Sequence, residues 1–177
     1  MVTAAKAFRA VAGAVPDPEL PVITLDELGV LRDVRVEPPT WPDEGPRVTV
    51  ELTPTYTGCP AVEAMADDIR RALTAHGAAA VTVLTVYAPP WSTDDISPRG
   101  RAKLAAAGIA PPRPRGGGPV LVPLTPMRLA PAPLPPPRCP QCGSADTELL
   151  SRFSSTACTA LRRCATCREP FDHMKEH

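Results

Sequence analysis

The sequence predicts an α+β fold, in which a small mixed sheet with a βαβ crossover and flanking helices is followed by a small C-terminal zinc ribbon. Two patterns predict it. An amphipathic helical segment lies between two apolar strand-like segments, and that order over this distance implies a parallel crossover. Two Cys-x-x-Cys pairs near the end of the chain are typical of zinc ribbons. We therefore expect a domain at residues 1–110, a Pro-rich linker at 111–138 and a ribbon at 139–177.

The elements of the first domain follow from apolar spacing and from the residues that interrupt it. Helix formers fill residues 4–14, before prolines that stop a helix. Strands are expected over 30–36, 47–53 and 81–86, and the last is β-branched almost throughout, which predicts a strand covered on both faces. A final helix over 98–107 has Ser97 as its predicted N-cap. The apolar stripe of the crossover helix consists of Val62, Met65, Ala66, Ile69, Leu73 and His76.

Composition argues against several classes of function. The 177-residue chain has a formal net charge of zero, whereas a nucleic-acid partner would call for a basic face. No apolar run approaches the length needed to span a bilayer. The chain begins without an apolar signal segment, so we expect a cytoplasmic protein with reduced thiols. Residues 111–138 hold eleven of the 25 prolines and read as a linker.

The four cysteines of the two pairs, Cys139, Cys142, Cys164 and Cys167, are the predicted metal ligands. Each pair delivers two thiolates, and the 21-residue spacer between the pairs is expected to form a hairpin. We favour a closed structural Zn²⁺ site over disulfides, and a one-iron site with the same ligands stays open. Apolar cover is expected from Leu149, Leu150 and Phe153, and the ion would supply much of the folding free energy. Three roles stay open for Cys158, which are packing, a spare metal ligand and a second contact for a transferred metal.

Cys59 is the candidate functional residue of the first domain. Pro60 is predicted at the first helical position, which places Cys59 at or next to the N-cap, where free amides and the helix dipole favour the thiolate. The alternative is a small buried cysteine that packs as a hydrophobe. An iron-sulfur cluster requires about four ligands, so one bound here would be transient and would take its other ligands from elsewhere. Asp17 and Glu19 either line the opening of the site at Cys59 or cap the local backbone.

Several motifs together resemble the D subunits of the phenylacetyl-CoA 1,2-epoxidase system, the PaaD family. The resemblance implies a metal-sulfur cluster assembly domain of the SufT type, with Cys59 as its functional residue. It also implies an accessory role in aerobic phenylacetate breakdown, in which the protein helps to install or maintain a metal centre of the oxygenase or its reductase. The motifs are Val15–Val22, Asp26–Val30, Thr53–Pro60, Pro90–Asp94, Gly108–Pro112, Cys139–Ser144, Ser155–Cys158 and Cys164–Asp172.

Three functions are weighed on these grounds. In the first, the protein is not an enzyme, Cys59 binds or transfers an iron-sulfur unit, and the ribbon docks a client component of the oxygenase system. In the second, the protein is a structural assembly subunit without chemistry of its own that docks through the ribbon. In the third, Cys59 is the nucleophile of a thiol enzyme, which the lack of a convincing histidine base disfavours. A homodimer is a further expectation, and neither nucleic acid nor a membrane is an expected partner.

Overall fold

The computed structural model describes residues 2–39, 41, 44–114 and 135–176. They form two compact units, one that ends at Ala107 and one that spans Gly108–Glu176. Most of the predicted Pro-rich linker, residues 115–134, lies outside the described residues. Among the residues described, no helix is both long and apolar enough to cross a membrane.

The first unit is a mixed three-stranded sheet with helices. Its middle strand, β2, pairs antiparallel with β1 and parallel with β3, and helix α3 connects β2 to β3. The predicted βαβ crossover and mixed sheet are therefore confirmed. The elements are α1 (Val2–Gly13), α2 (Leu25–Leu28), β1 (Leu31–Glu37), β2 (Arg47–Leu52), α3 (Ala61–Ala75), β3 (Ala80–Thr85) and α4 (Pro98–Ala106).

The core of this unit contains buried apolar residues of β2 and α3, together with others from α1, α2 and α4. Strand β2 alternates as predicted, and its apolar residues Val48, Val50 and Leu52 are all at most 1% exposed. Ile69 and Leu73 of α3 are fully buried, because residues at helical spacing share one face of the helix. The segment after β2 leads directly to the start of α3.

Strand β3 departs from the prediction. It was expected to be covered on both faces, but it pairs with β2 alone among the described strands and every one of its residues is at least partly exposed. Leu84 keeps 43% of its surface exposed. The prediction was wrong because β-branched residues suit any pleated strand, whether it lies at the centre of a sheet or at its edge.

Two further details concern the ends of helices. His76, the last residue of the predicted stripe, is exposed at the C-cap of α3, where its ring meets that of Phe8 edge-on at 5.1 Å between centroids. Ser97 is the N-cap of α4 as predicted, and its hydroxyl accepts a hydrogen bond from the Gly100 N–H at 3.0 Å. Helix α2 was not predicted, although Thr24 and Glu27 form a capping box whose Thr-x-x-Glu spacing is readable in sequence.

The second unit is a four-stranded ribbon in the order β4-β7-β6-β5. Its strands are β4 (Ile109–Ala110), β5 (Thr147–Ser151), β6 (Thr159–Cys164) and β7 (Pro170–Met174). Strands β5 and β6 form the antiparallel hairpin predicted for the spacer between the cysteine pairs. Strand β4 pairs parallel with β7, so the two residues before the predicted boundary at 110 belong to the ribbon sheet.

The contrast between Leu73 and Leu84 gives a test of this fold. Leu73→Ala should lower the free energy of unfolding by about 2–5 kcal/mol, because it leaves a cavity at a fully buried position. Leu84→Ala, the same substitution on the exposed edge strand, should cost less than about 1 kcal/mol. Urea unfolding of the full chain, followed by circular dichroism, measures both. Equal losses would show that β3 is covered in solution.

Candidate functional site

Four cysteine sulfurs converge in the ribbon. The Sγ atoms of Cys139, Cys142, Cys164 and Cys167 all lie within 4.8 Å of one another. We call the two Cys-x-x-Cys turns, Cys139–Cys142 and Cys164–Cys167, the two knuckles. Between them, the Sγ atoms of Cys139 and Cys167 lie 3.7 Å apart and those of Cys142 and Cys164 lie 3.5 Å apart. These are the four predicted ligands, and the structure brings them together in one cluster.

The two knuckles adopt the same backbone turn. In the first, the Gly143 N–H donates to the Cys139 carbonyl at 2.9 Å; in the second, the Arg168 N–H donates to the Cys164 carbonyl at 3.0 Å. Gly143 and Arg168 both have left-handed backbone, with φ of 74° and 69°. Glycine adopts this conformation freely, whereas a residue with a Cβ adopts it at a cost. Each Cys-x-x-Cys segment therefore presents its two sulfurs in the same way.

The cluster fits a tetrahedral metal ion. Zinc–sulfur bonds of about 2.3 Å in a tetrahedron place neighbouring sulfurs about 3.8 Å apart, close to the separations seen here. Hydrogen bonds from the amide N–H groups of Cys167 and Thr166 help to lower the pKa of the Cys164 thiol to about 6, with the Cys167 amide the largest contributor. Four thiolates with no open position suit a structural ion, and the donor set alone accepts Zn²⁺ or Fe²⁺.

The apolar cover of the cluster differs from the prediction. Leu149 and Leu150 are 47% exposed and Phe153 is 65% exposed, so the expectation that these three cover the cluster was wrong. Ala110 and Phe171 pack against the cysteines instead. Ala110 comes from β4, far away in sequence, and no local pattern in the spacer could have identified it.

Cys158 lies outside the four-sulfur cluster. Its side chain is 5% exposed, and its Sγ lies 3.1 Å from the Thr156 hydroxyl. Of the alternatives considered for this residue, the structure favours packing, because its sulfur is not among the clustered ligands.

Cys59 is placed at the junction between the loop after β2 and helix α3. Gly58 has φ of 85°, which turns the chain, and the Cys59 carbonyl accepts a hydrogen bond from the Val62 N–H at 3.4 Å. Helix α3 begins at Ala61 with Pro60 as its N-cap, so the proline stands one position before the predicted one. Cys59 is next to the N-cap, as expected, and its side chain is neither buried nor fully exposed.

The protonation of Cys59 differs from the expectation. Partial burial, and then the negative charges of Glu19 and Asp17, raise the pKa of the Cys59 thiol above its ordinary value. Hydrogen bonds from the Ala61 N–H and the Tyr56 side chain act in the opposite direction but do not outweigh them. The predicted preference for the thiolate was therefore wrong, because it counted the helix terminus and left out the burial of the thiol and, after it, the two carboxylates.

The structure brings Asp17 and Glu19 into the surroundings of Cys59, since both carboxylates act on its thiol. Asp17 is also 5% exposed and caps its own turn, where its Oδ1 accepts hydrogen bonds from the Glu19 N–H at 3.0 Å and the Leu20 N–H at 2.7 Å. Both alternatives stated for these residues thus describe part of the arrangement. Tyr56 was not predicted as a neighbour of Cys59. The available signal was its position three residues before Cys59, because a tight turn between them, closed by a hydrogen bond from the Cys59 N–H to the Tyr56 carbonyl, brings the two residues together.

His76 does not assemble with Cys59. It follows the last residue of the 15-residue helix whose first turn lies beside the cysteine, so the two are separated by about 22 Å of helix. This supports the interpretation of His76 as a surface residue and not as a base.

Comparison with known proteins identifies two matched regions and one relative of nearly full length. The family described as PaaD zinc beta ribbon domain matches residues 129–175, and the family described as iron-sulfur cluster assembly protein matches residues 7–85. A protein of Escherichia coli (strain K12), provisionally named as the D subunit of 1,2-phenylacetyl-CoA epoxidase, is 41% identical over 162 residues. The alignment covers 91% of this chain and 86% of that protein.

Two solved structures are also similar. A domain of unknown function from Bacillus anthracis, DUF59, is 27% identical with a TM-score of 0.49, and covers 59% of this chain and 97% of its own. A Mycobacterium tuberculosis protein described as associated with Fe-S complex assembly and repair is 33% identical with a TM-score of 0.35, and covers 58% of this chain and 84% of its own.

The first knuckle gives a prediction about stability. Gly143→Ala should destabilise the metal-loaded ribbon by about 1 kcal/mol, because alanine is strained at a positive φ although no atom lies within 4 Å of the added Cβ. Gly143→Asn should cost less, since asparagine tolerates this conformation better. Thermal unfolding of the loaded full chain measures both. Arg168→Ala is the control, and an equally large loss there would contradict the backbone explanation.

The carboxylate near Cys59 gives a prediction about reactivity. Glu19→Gln should increase the rate of Cys59 alkylation by iodoacetamide at pH 7.5 by about two- to fivefold, because removing a negative charge lowers the thiol pKa and raises the reactive thiolate fraction. Site-resolved peptide mass spectrometry of the full chain reads the rate.

Glu37→Gln is the matched control, because it also removes one carboxylate. Glu37 is exposed and lies opposite Arg47 at the start of β2, whereas Cys59 follows the end of β2. Its rate should equal that of the unmodified chain. Equal acceleration by both substitutions would mean that Glu19 does not act on Cys59.

Proposed function

The chain belongs to the family of the phenylacetyl-CoA epoxidase D subunits, and we propose that it is an accessory protein of that system in which Cys59 binds or transfers an iron-sulfur unit. The observation that carries the proposal is the placement of Cys59. The residue is partly exposed at a glycine turn before a helix, and it lies inside the region that matches iron-sulfur cluster assembly proteins.

The protonation of Cys59 supports a transient role for the bound unit. The thiol is protonated at rest, because burial and two carboxylates raise its pKa. Iron binding requires the thiolate and displaces this proton to solvent, so the affinity of the site falls as the pH falls. The charges of Asp17 and Glu19, which oppose the thiolate, attract the incoming iron cation. The same carboxylates thus disfavour the thiolate when the site is empty and favour the binding of iron when the cation arrives.

The number of ligands supports transfer over storage. A cluster takes about four ligands, usually thiolates, and Cys59 is the sole cysteine before the ribbon unit. The remaining ligands must come from a small thiol, a second copy of the chain or the client. A client that supplies more thiolates than the carrier retains the cluster, which gives the transfer its direction.

The ribbon supplies a separate, architectural function in this proposal. Cys139, Cys142, Cys164 and Cys167 hold a Zn²⁺ ion with no open position, so the ion stabilises the ribbon and takes part in no reaction. The ribbon then docks the client, which is the oxygenase or the reductase component of the epoxidase, in the cytoplasm. The chain itself performs no epoxidation.

A second function is favoured by a different observation. The ribbon exposes Leu149, Leu150 and Phe153, which is the kind of surface that joins subunits. A structural assembly subunit would use this surface and would not need Cys59 as a reactive group. In that case Cys59→Ser leaves epoxidation intact, whereas Cys142→Ser, which opens the metal site of the ribbon, abolishes it.

The test of the proposal is cluster transfer by the full chain. Wild type incubated anaerobically with ferrous and ferric iron and sulfide should take up iron and sulfide and restore the visible absorption of an apo-reductase or the activity of an iron-depleted oxygenase. Cys59→Ala should reduce uptake and transfer by roughly tenfold or more, because the site loses its soft ligand. Iron and sulfide are counted in each component after separation.

Cys158→Ala is the control, since it removes another thiol that lies outside the zinc ligands. It should transfer as wild type does. Equal uptake and transfer by wild type and Cys59→Ala would rule out the carrier function and leave the assembly function.

A further inference from the structure

The ribbon has an open cleft of about 360 Å³ that neither the zinc site nor Cys59 uses. It lies on one face of the sheet, because residues opposite each other in paired strands share a face. Leu149 of β5 lies opposite Arg162 of β6, and Ala160 of β6 lies opposite His173 of β7. All four line the cleft.

Two buried nitrogen atoms among the residues of this cleft lack hydrogen-bond partners. His173 is 8% exposed, and its Nε2 has no partner in the part of the chain that the structure describes. The same holds for Nε of Arg162. Buried polar atoms are ordinarily paired, so two orphans in one cleft indicate a missing group. The Nε–H of the Arg162 guanidinium can only donate, so the group missing beside it is an acceptor. His173 Nε2 donates to the same kind of group in the tautomer protonated at Nε2.

The charge of the cleft indicates which kind of hydrogen-bond acceptor fits it. Arg152, Arg162 and Lys175 contribute three positive charges against the single negative charge of Glu176, which leaves two positive charges in a chain of zero net charge. Burial and the nearby charge of Arg113 lower the pKa of Arg162, so further cationic charge faces the site. An anionic acceptor, which forms shorter and stronger hydrogen bonds to a guanidinium than a neutral one, fits this environment.

The apolar part of the cleft specifies what accompanies the anion. Phe153 is 65% exposed, and the Lys175 ammonium lies 4.4 Å above the centre of its ring. Leu149, which is 47% exposed, adds aliphatic surface. An exposed aromatic ring beside arginines is the composition of binding hot spots in protein interfaces.

We propose that this cleft docks an acidic segment of a partner protein. A carboxylate of the segment accepts hydrogen bonds from Arg162 Nε and His173 Nε2, and a neighbouring apolar side chain packs on Phe153. Under the proposed function, on which this part rests, the partner is the client component that receives the iron-sulfur unit.

The chemistry of the site is tested with two peptides on the zinc-loaded full chain. N-acetyl-Phe-Glu-amide should shift the NMR signals of the His173 and Phe153 rings in a saturable way. N-acetyl-Phe-Gln-amide, which differs only in the charge of one side chain, should bind at least about tenfold more weakly. Equal binding of the two peptides, or no saturable shift with either, would overturn the carboxylate site.

Two neighbouring arginines provide matched variants. Arg162→Gln should weaken binding of the acidic peptide by about tenfold or more, whereas Arg163→Gln, at the next position of β6 and facing the other way, should leave it within about twofold. Arg163 is exposed and pairs with Glu148 outside the cleft. If Arg162→Gln loses zinc or unfolds, the exposed Arg152→Gln replaces it, with a weakening of about threefold.

The partner is tested with the purified oxygenase and reductase components by calorimetry. One of them should bind the wild-type chain and the Arg163→Gln variant with the same affinity, and the Arg162→Gln variant at least about tenfold more weakly. Cys59→Ala should dock as wild type does. Equal affinity of all the variants would overturn the docking site, whereas normal docking with no effect of Cys59→Ala on transfer would overturn only the carrier function.

Discussion

The ribbon depends on the close approach of four sulfur atoms. Without an ion, four thiols within 4.8 Å of one another cannot all ionise, because each thiolate disfavours the next. The lowered pKa of Cys164 shows where the first negative charge is held. A divalent ion removes this conflict and binds all four at once, and among the described residues the packed cluster beside them contains Ala110 and Phe171 besides cysteines. The ion therefore takes the place of the larger core that the ribbon lacks.

Cys59 shows the opposite arrangement of the same ligand atom. In the ribbon, four thiols are held together by two matching turns, whereas Cys59 is a single thiol whose pKa is raised by partial burial and then by two carboxylates. A resident site needs a complete ligand set, and a transfer site needs an incomplete one that a client can complete. The difference between the two sites is thus one of ligand number and charge. Each site lies at backbone turns with a residue at positive φ, which is Gly58 before Cys59 and Gly143 and Arg168 in the ribbon.

The features that could be predicted from sequence are those that a few neighbouring residues determine. The two cysteine turns, the Ser97 cap, the alternation of β2 and the stripe of α3 from Met65 to Leu73 are local patterns, and the structure confirms them. The errors concern quantities that depend on distant residues. The exposure of β3 depends on its position in the sheet, and the cover of the four-cysteine cluster depends on Ala110. The pKa of Cys59 depends on its burial and then on Glu19 and Asp17, some forty residues earlier in the chain. The cleft around Arg162 and His173 was missed for the same reason, because three strands contribute to it.

The positive charge of the cleft does not make the ribbon a nucleic-acid binder. Binding to a phosphate backbone calls for an extended basic face, whereas here the cations surround one small cleft and the charge of the whole chain is zero. Nε of Arg162 and Nε2 of His173, which have no hydrogen-bond partner among the residues that the structure describes, favour one acceptor at hydrogen-bond distance over a diffuse field of phosphates. The exposed ring of Phe153 adds an apolar requirement that a single phosphate does not meet. A carboxylate side chain beside an apolar one meets all three conditions, which is why an acidic protein segment accounts for the cleft better than a polyanion does.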